Sequence, residues 1–219
     1  MTVATLIRKE LTLELRRKAV ISGIGLYLLS LTFICYLTFS LRHNQINEAT
    51  WSALFWLAIL FSVINSVAKS FIGEKKGLSI YYYSTASPQA IIASKIIYNT
   101  LLCVFLSATG YFLFSLFMQN PVQDKFIFFT TLLLCSWGFS ASLSLISGIA
   151  SRANNSNVLM AVLSFPVVIA ILLMGIKATK NALDGIDRSL SYDELLNLLA
   201  INCISTALAY LLFPYIWRS

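Results

Sequence analysis

Residues 126–150 read FIFFTTLLLCSWGFSASLSLISGIA, a stretch with no charged side chain. As a helix it is apolar all round, and at 1.5 Å per residue it crosses a hydrocarbon layer about 30 Å thick. A strand of a membrane barrel would instead be roughly 10 residues long, with polar residues alternating onto an inner face. Working outward from this run, residues 19–41, 51–68, 91–118, 158–176 and 195–217 have the same character. The expectation is an all-α integral membrane protein with six transmembrane helices, forming a single transmembrane domain over residues 1–219.

Composition agrees. The chain has 219 residues, 58% apolar and 11% charged, with a mean hydropathy of +0.79. Soluble domains are about 45–50% apolar and about 25% charged, and disordered chains are more polar still. Six spans and short loops use up the length, which leaves no room for a soluble catalytic domain. The net charge of +7 sits on loops between apolar runs, so no nucleic-acid partner is expected. Excess Lys and Arg mark cytoplasmic loops. With the N-terminus inside, the inner segments hold Arg8, Lys9, Arg16, Arg17, Lys18, Lys69, Lys75, Lys76, Lys95, Arg152 and Arg218. The outer segments hold only Arg42, Lys125, Lys177, Lys180 and Arg188. Both termini are therefore expected in the cytoplasm, as six spans require.

Ahead of the first span, residues 2–18 place Val3, Leu6, Ile7, Leu11 and Leu15 at three- and four-residue steps, with Arg8, Lys9 and Arg16 across from them. This is the pattern of an amphipathic helix. It is expected to lie in the membrane interface, its apolar face in lipid and Arg8, Lys9, Arg16 and Arg17 against anionic headgroups. No small-residue cleavage site follows the first span, which reads as an uncleaved helix.

The longest inner loop covers residues 69–90. Gly73 and Gly77 bracket a charged turn, Glu74-Lys75-Lys76. Leu78 to Tyr83, including Tyr81 and Tyr82, is long enough for a short helix. Ser87 is placed to cap the next helix and Pro88 to fill its first turn, and Lys95 is expected to snorkel to the headgroups. The tyrosines suit a protein interface and equally a membrane-surface loop; the chemistry leaves both open.

In residues 126–150, Ser136, Ser140, Ser144 and Gly148 recur every four positions. Such a small-residue stripe lets another helix approach closely, within the chain or across a dimer seam. Trp51 and Trp217 fall at span boundaries, as interfacial belt residues do. Asn65 is the most conspicuous polar side chain within a span. Asp184, Asp187, Asp193 and Glu194 lie in the last outer loop, 177–194, where a solvated loop or a partner contact fits. Cys35, Cys103, Cys135 and Cys203 occupy four different spans with no metal or disulfide spacing. The single histidine, His43, suits a solvated loop better than a haem ligand. No metal site is expected. No phosphate-binding loop is present, so the chain is expected to be no enzyme and to leave ATP hydrolysis to a partner.

The spacing Glu74-x-x-Gly77-Leu78, Ser87-Pro88, Lys95 resembles the first cytoplasmic loop of ABC-2-type permeases, where a coupling helix contacts the ATPase. More closely, the chain resembles the CcmB family, the permease subunit of the haem-exporter ABC complex of cytochrome c maturation. The basic opening from Arg8 to Arg17, Trp56-Leu57-Ala58, and Leu163 to Ile169 with Pro166 carry that likeness over nearly the whole chain. One departure is that Pro166 stands alone, where the pattern has a second proline a few residues on. The resemblance implies an ABC-2-type permease domain in the bacterial inner membrane, working as a homodimer with a CcmA-like ATPase. CcmC-like and CcmD-like membrane proteins and a CcmE-like haem chaperone would be its other partners. Its ATPase-coupling interface would be Gly73, Glu74, Lys75, Lys76, Gly77, Leu78, Tyr81, Tyr82, Ser87 and Pro88. Haem would be handled by those partners, with no cofactor held by this chain. An ABC-2 exporter of lipid, polysaccharide or drug, and a non-transport assembly scaffold, are the competing readings.

Overall fold

The computed structural model describes residues 3–16, 18–40, 47–67, 71, 86–152, 156–185 and 187–218; for 14–16, 18–21, 40, 156, 157 and 218 it describes the backbone only. Among them every regular element is helical: α1 (Val3–Arg16), α2 (Lys18–Ser40), α3 (Glu48–Val67), α4 (Pro88–Met118), α5 (Lys125–Ala150), α6 (Ser156–Asp184) and α7 (Tyr192–Arg218). A 3₁₀ turn, Arg188–Ser191, leads into α7. Helices α2 to α7 are the six long and apolar enough to cross a membrane. The chain is an all-α multi-pass membrane protein.

Local chemistry sets the helix starts. Ser87 accepts a hydrogen bond from the Ala90 N–H, and Pro88 opens α4, where its missing N–H costs nothing. Asp124 accepts from the N–H groups of Phe126 and Ile127 and so caps α5. The fifth span is longer than its apolar run suggested. α6 continues through Lys177 and Lys180 to Asp184, because Ala178, Thr179, Ala182 and Leu183 continue a buried face while the lysines turn outward. The expected outer loop 177–194 thus shrinks to a short connection before the 3₁₀ turn.

Helix α5 sits at the centre, with α4, α6 and α7 packed around it; α3 fills the space between α4 and α6, and α2 lies outside against α3 and α4. Its composition explains that position. Gly138 lies against the Asn202 side chain of α7, and Cys135 lies beside Gly175 of α6, where an added Cβ would stand 2.8 Å from the sulfur. Close approach of this kind drives helix association in lipid, where apolarity alone does not. α2 is the opposite case: among its described side chains only Leu28 and Thr32 are buried, and Leu26 and Ile34 stand exposed.

Both boundary tryptophans differ from the belt expectation. Trp51 is buried, stacked on Phe55 at 5.4 Å and edge-on to Phe114 at 5.6 Å. Trp217 is buried against Phe213, stacked at 5.6 Å. Each ring fills a gap between helices at one end of the bundle, which removes more apolar surface than an interfacial position would.

Candidate functional site

The end of the bundle that carries both terminal helices is built around a second, smaller core. Leu6 of α1, Phe71, Ile91, Ile92 and Ile96 of α4, Ala141 and Leu145 of α5, and Ala209, Phe213 and Trp217 of α7 pack together there. Phe71 stands inside the predicted coupling loop. Its ring lies 5.2 Å from that of Phe213, and its N–H donates to the Ser147 hydroxyl at 3.2 Å. Phe71 is thereby pinned to α5 and α7. Arg152, just past α5, donates to the Trp217 carbonyl at 3.1 Å and lies over its ring.

Lys95 does not snorkel. It is 4% exposed, and its ammonium lies 3.3 Å from Glu10 of α1 and 5.1 Å from the centre of the Phe71 ring. α1 rests on α4 through Leu6 and Glu10, so part of the face expected in lipid is turned to protein instead, while Leu11 and Leu13 remain exposed. A buried charge is tolerated only when paired, and Glu10 lies where it can supply the partner. Burial pushes the Glu10 carboxyl up, but Lys95 and Lys9 outweigh it and hold it below its ordinary value. Lys9 lies 2.9 Å from the same oxygen.

The predicted small-residue stripe faces inward. Ser140 donates to the Ile96 carbonyl at 2.7 Å, Ser144 accepts from Asn99 at 2.8 Å, and Ser136 meets Ser107 at 3.4 Å, all toward α4. Gly148 lies under Phe213: a Cβ there would sit 3.0 Å from the ring, so the ring would have to give way to any side chain. Sequence reading singled out Asn65, but its amide turns back to the Phe61 carbonyl on an exposed face. It missed Asn99 and Asn202, both buried; Asn202 donates to the Leu134 carbonyl at 2.8 Å. Their spacing against the serines of α5 becomes meaningful only once the helices are paired.

The opposite end is held by polar groups near the surface. The N–H groups of Gln123 and Asp124 donate to the Ala182 carbonyl at 3.2 and 3.0 Å. Arg188 donates to Asp124 at 2.6 Å and lies over the Phe126 ring. Of the four acids predicted in the last outer loop, Asp184 ends α6 beside Lys180 at 3.7 Å, and Asp193 and Glu194 fall in the first turn of α7.

Of the predicted coupling residues, Ser87 and Pro88 start α4 beside this junction, while Gly73, Glu74, Lys75, Lys76, Gly77, Leu78, Tyr81 and Tyr82 lie outside the described residues. So do His43, Arg17 and the side chain of Arg16. Arg8 is exposed on the side of α1 away from Leu6, and Lys9 is partly buried beside Glu10.

Six spans, with α3, α4, α6 and α7 gathered about the serine-lined α5 and with the amphipathic α1 and Phe71 packed at one end, define a multi-pass helical membrane protein. The family description "CcmB protein" matches residues 1–215. The chain belongs to the CcmB family, whose members are the membrane permease component of the haem-exporting ABC complex for cytochrome c biogenesis. As a family member it is a permease subunit associated with other components of that complex, such as the ATPase. No curated protein and no solved structure matches it.

Proposed function

We propose that this chain transmits the work of a CcmA-like ATPase into the bacterial inner membrane, through the loop at residues 69–90 and the junction into which Phe71 is packed. The observation that carries the reading is the anchoring of Phe71: its contacts with Ser147 of α5, Phe213 of α7 and Lys95 of α4 give a push on the loop a route into those helices. The chain acts in this reading as a single permease domain with both termini in the cytoplasm, in a homodimer. CcmC-like and CcmD-like proteins stand beside it, and ATP hydrolysis is spent on haem export or on release of a haem-loaded CcmE-like chaperone. Haem is cargo held by those partners.

The test is a mild-detergent pull-down of the tagged chain, with co-purifying proteins identified by mass spectrometry. A phosphate-loop ATPase recovered with a haem-handling membrane protein is the expected result. An ATPase alone would point to an exporter of another substrate, and neither would leave an assembly scaffold. Within the recovered complex, Glu74→Lys and Pro88→Leu should lower the coupling of ATP hydrolysis to chaperone release while the spans stay folded. Unchanged coupling in both would remove the loop from the mechanism.

A further inference from the structure

Lys95 occupies an unusual place. It lies eight residues into α4, yet it is nearly inaccessible. Three segments that are distant in sequence meet at its ammonium: Glu10 from α1, the Phe71 ring from the start of the loop, and α4 itself. Packing alone does not require a charge here. Leu6, Ile91, Ile92 and Ile96 surround the site with apolar side chains, and a hydrophobic residue of similar volume would avoid the cost of desolvating an ion. A charge held by Glu10 and the Phe71 ring favours one arrangement of two helices and Phe71 more sharply than an apolar contact does, because displacing either one weakens the pairing of an ion in a dry setting.

We propose that Lys95 is a positioning residue that locks the interface helix to the root of the loop, so that α1, Phe71 and the start of α4 move as one body. A push on the loop then reaches α1, and with it the membrane surface on which that helix lies. The direction of the lock follows from the two contacts. The Glu10 carboxylate binds the ammonium by charge, and the Phe71 ring binds it through its electron-rich face. An arginine can make both contacts, whereas a methionine of comparable length can make neither.

The last arm of the test rests on the permease reading; the first does not. Amide hydrogen exchange on the full chain in membranes, read by mass spectrometry, reports the opening of residues 3–16. Lys95→Met and Glu10→Gln should each speed exchange in α1 about tenfold, as expected when a helix loses its hold on the bundle, and Lys95→Arg should leave it near wild type. Wild-type exchange in Lys95→Met, or equally fast exchange in Lys95→Arg, overturns the lock. In the complex with the ATPase, ATP should change α1 exchange in wild type and in Lys95→Arg but not in Lys95→Met, with the ATPase still bound. A response that persists in Lys95→Met overturns the transmission role. If no ATPase binds even the wild-type chain, the permease reading fails, and the first arm alone decides the lock.

Discussion

Each end of the bundle is tied by a carboxylate and a cation, but the two ties differ in kind. At the terminal end, Glu10 and Lys95 are 14% and 5% exposed; at the other, Asp124 and Arg188 are 16% and 58% exposed. The first pair joins α1 to a span among apolar and aromatic side chains. The second joins two short connections where water reaches the arginine freely. An exposed pair gains little because solvent screens it, whereas a buried pair is costly to break from one side only. The surrounding chemistry follows the same division. Near Lys95 the neighbours are Phe71, Ile91 and Ile96, while near Arg188 the work of holding the chain passes to main-chain bonds from Gln123 and Asp124 to Ala182. One end is built so that its parts move together, and the other so that its connection stays short.

The comparison breaks most visibly at Glu10. Glu10→Gln should lower stability by about 3 kcal/mol, because the buried Lys95 loses its carboxylate. The double variant Glu10→Gln with Lys95→Met should recover much of that loss. Thermal unfolding in detergent reads both, and a double variant less stable than the single would show that the pair contributes net stability rather than specificity.

The glycines at the two ends provide the next contrast. Gly148→Val pushes a side chain into Phe213, within a packed core, and should cost about 2 kcal/mol by overpacking. Gly185 has φ +64° and lies against the Gln123 side chain, so Gly185→Ala should cost about 1 kcal/mol through its left-handed backbone. The order would reverse if the far end, rather than the terminal end, were the stiffer of the two.

Acid should produce the smallest effect, and with a definite sign. The Asp124 carboxyl is held below its ordinary value of 3.8, chiefly by its hydrogen bond from Arg188, and the Glu10 carboxyl below 4.5. A carboxyl depressed on folding stabilises the protein above its unfolded value and loses that contribution as pH falls through the folded one. Stability should therefore be flat above about pH 5 as far as these groups are concerned, and should fall only below their ordinary values. Arg188→Ala should shift the acid limb slightly and Lys95→Met more. Added salt should erase the first difference and spare the second.

Much of this architecture was legible in the chain. Six apolar runs, a basic amphipathic opening and the Ser87-Pro88 helix start are local signals, and each appears in the structure. The site was legible only in part. Lys95 read as an interfacial lysine because a lysine near a span end snorkels unless an acid is brought to it, and its acid comes from α1, far away in sequence. Trp51 and Trp217 read as belt residues because span boundaries predict depth in the membrane, not which side of the helix meets protein. Asn99 and Asn202 drew no notice because a lone amide in an apolar run has no meaning until its partner helix is known.

By itself the sequence determined that the chain crosses the membrane six times as helices, since backbone groups in hydrocarbon must be satisfied within the segment and long apolar runs allow only that. It determined as well that α5 would carry a face of small side chains. Only the tertiary structure decided that this face meets α4 and α7 of the same chain, that α2 stays on the outside, and that α1 is locked to α4 through Lys95. The physical reason is that lipid and protein interior are equally apolar. Composition therefore separates membrane from water, while inside and outside within the membrane are settled by shape and by a few hydrogen bonds and charges between helices.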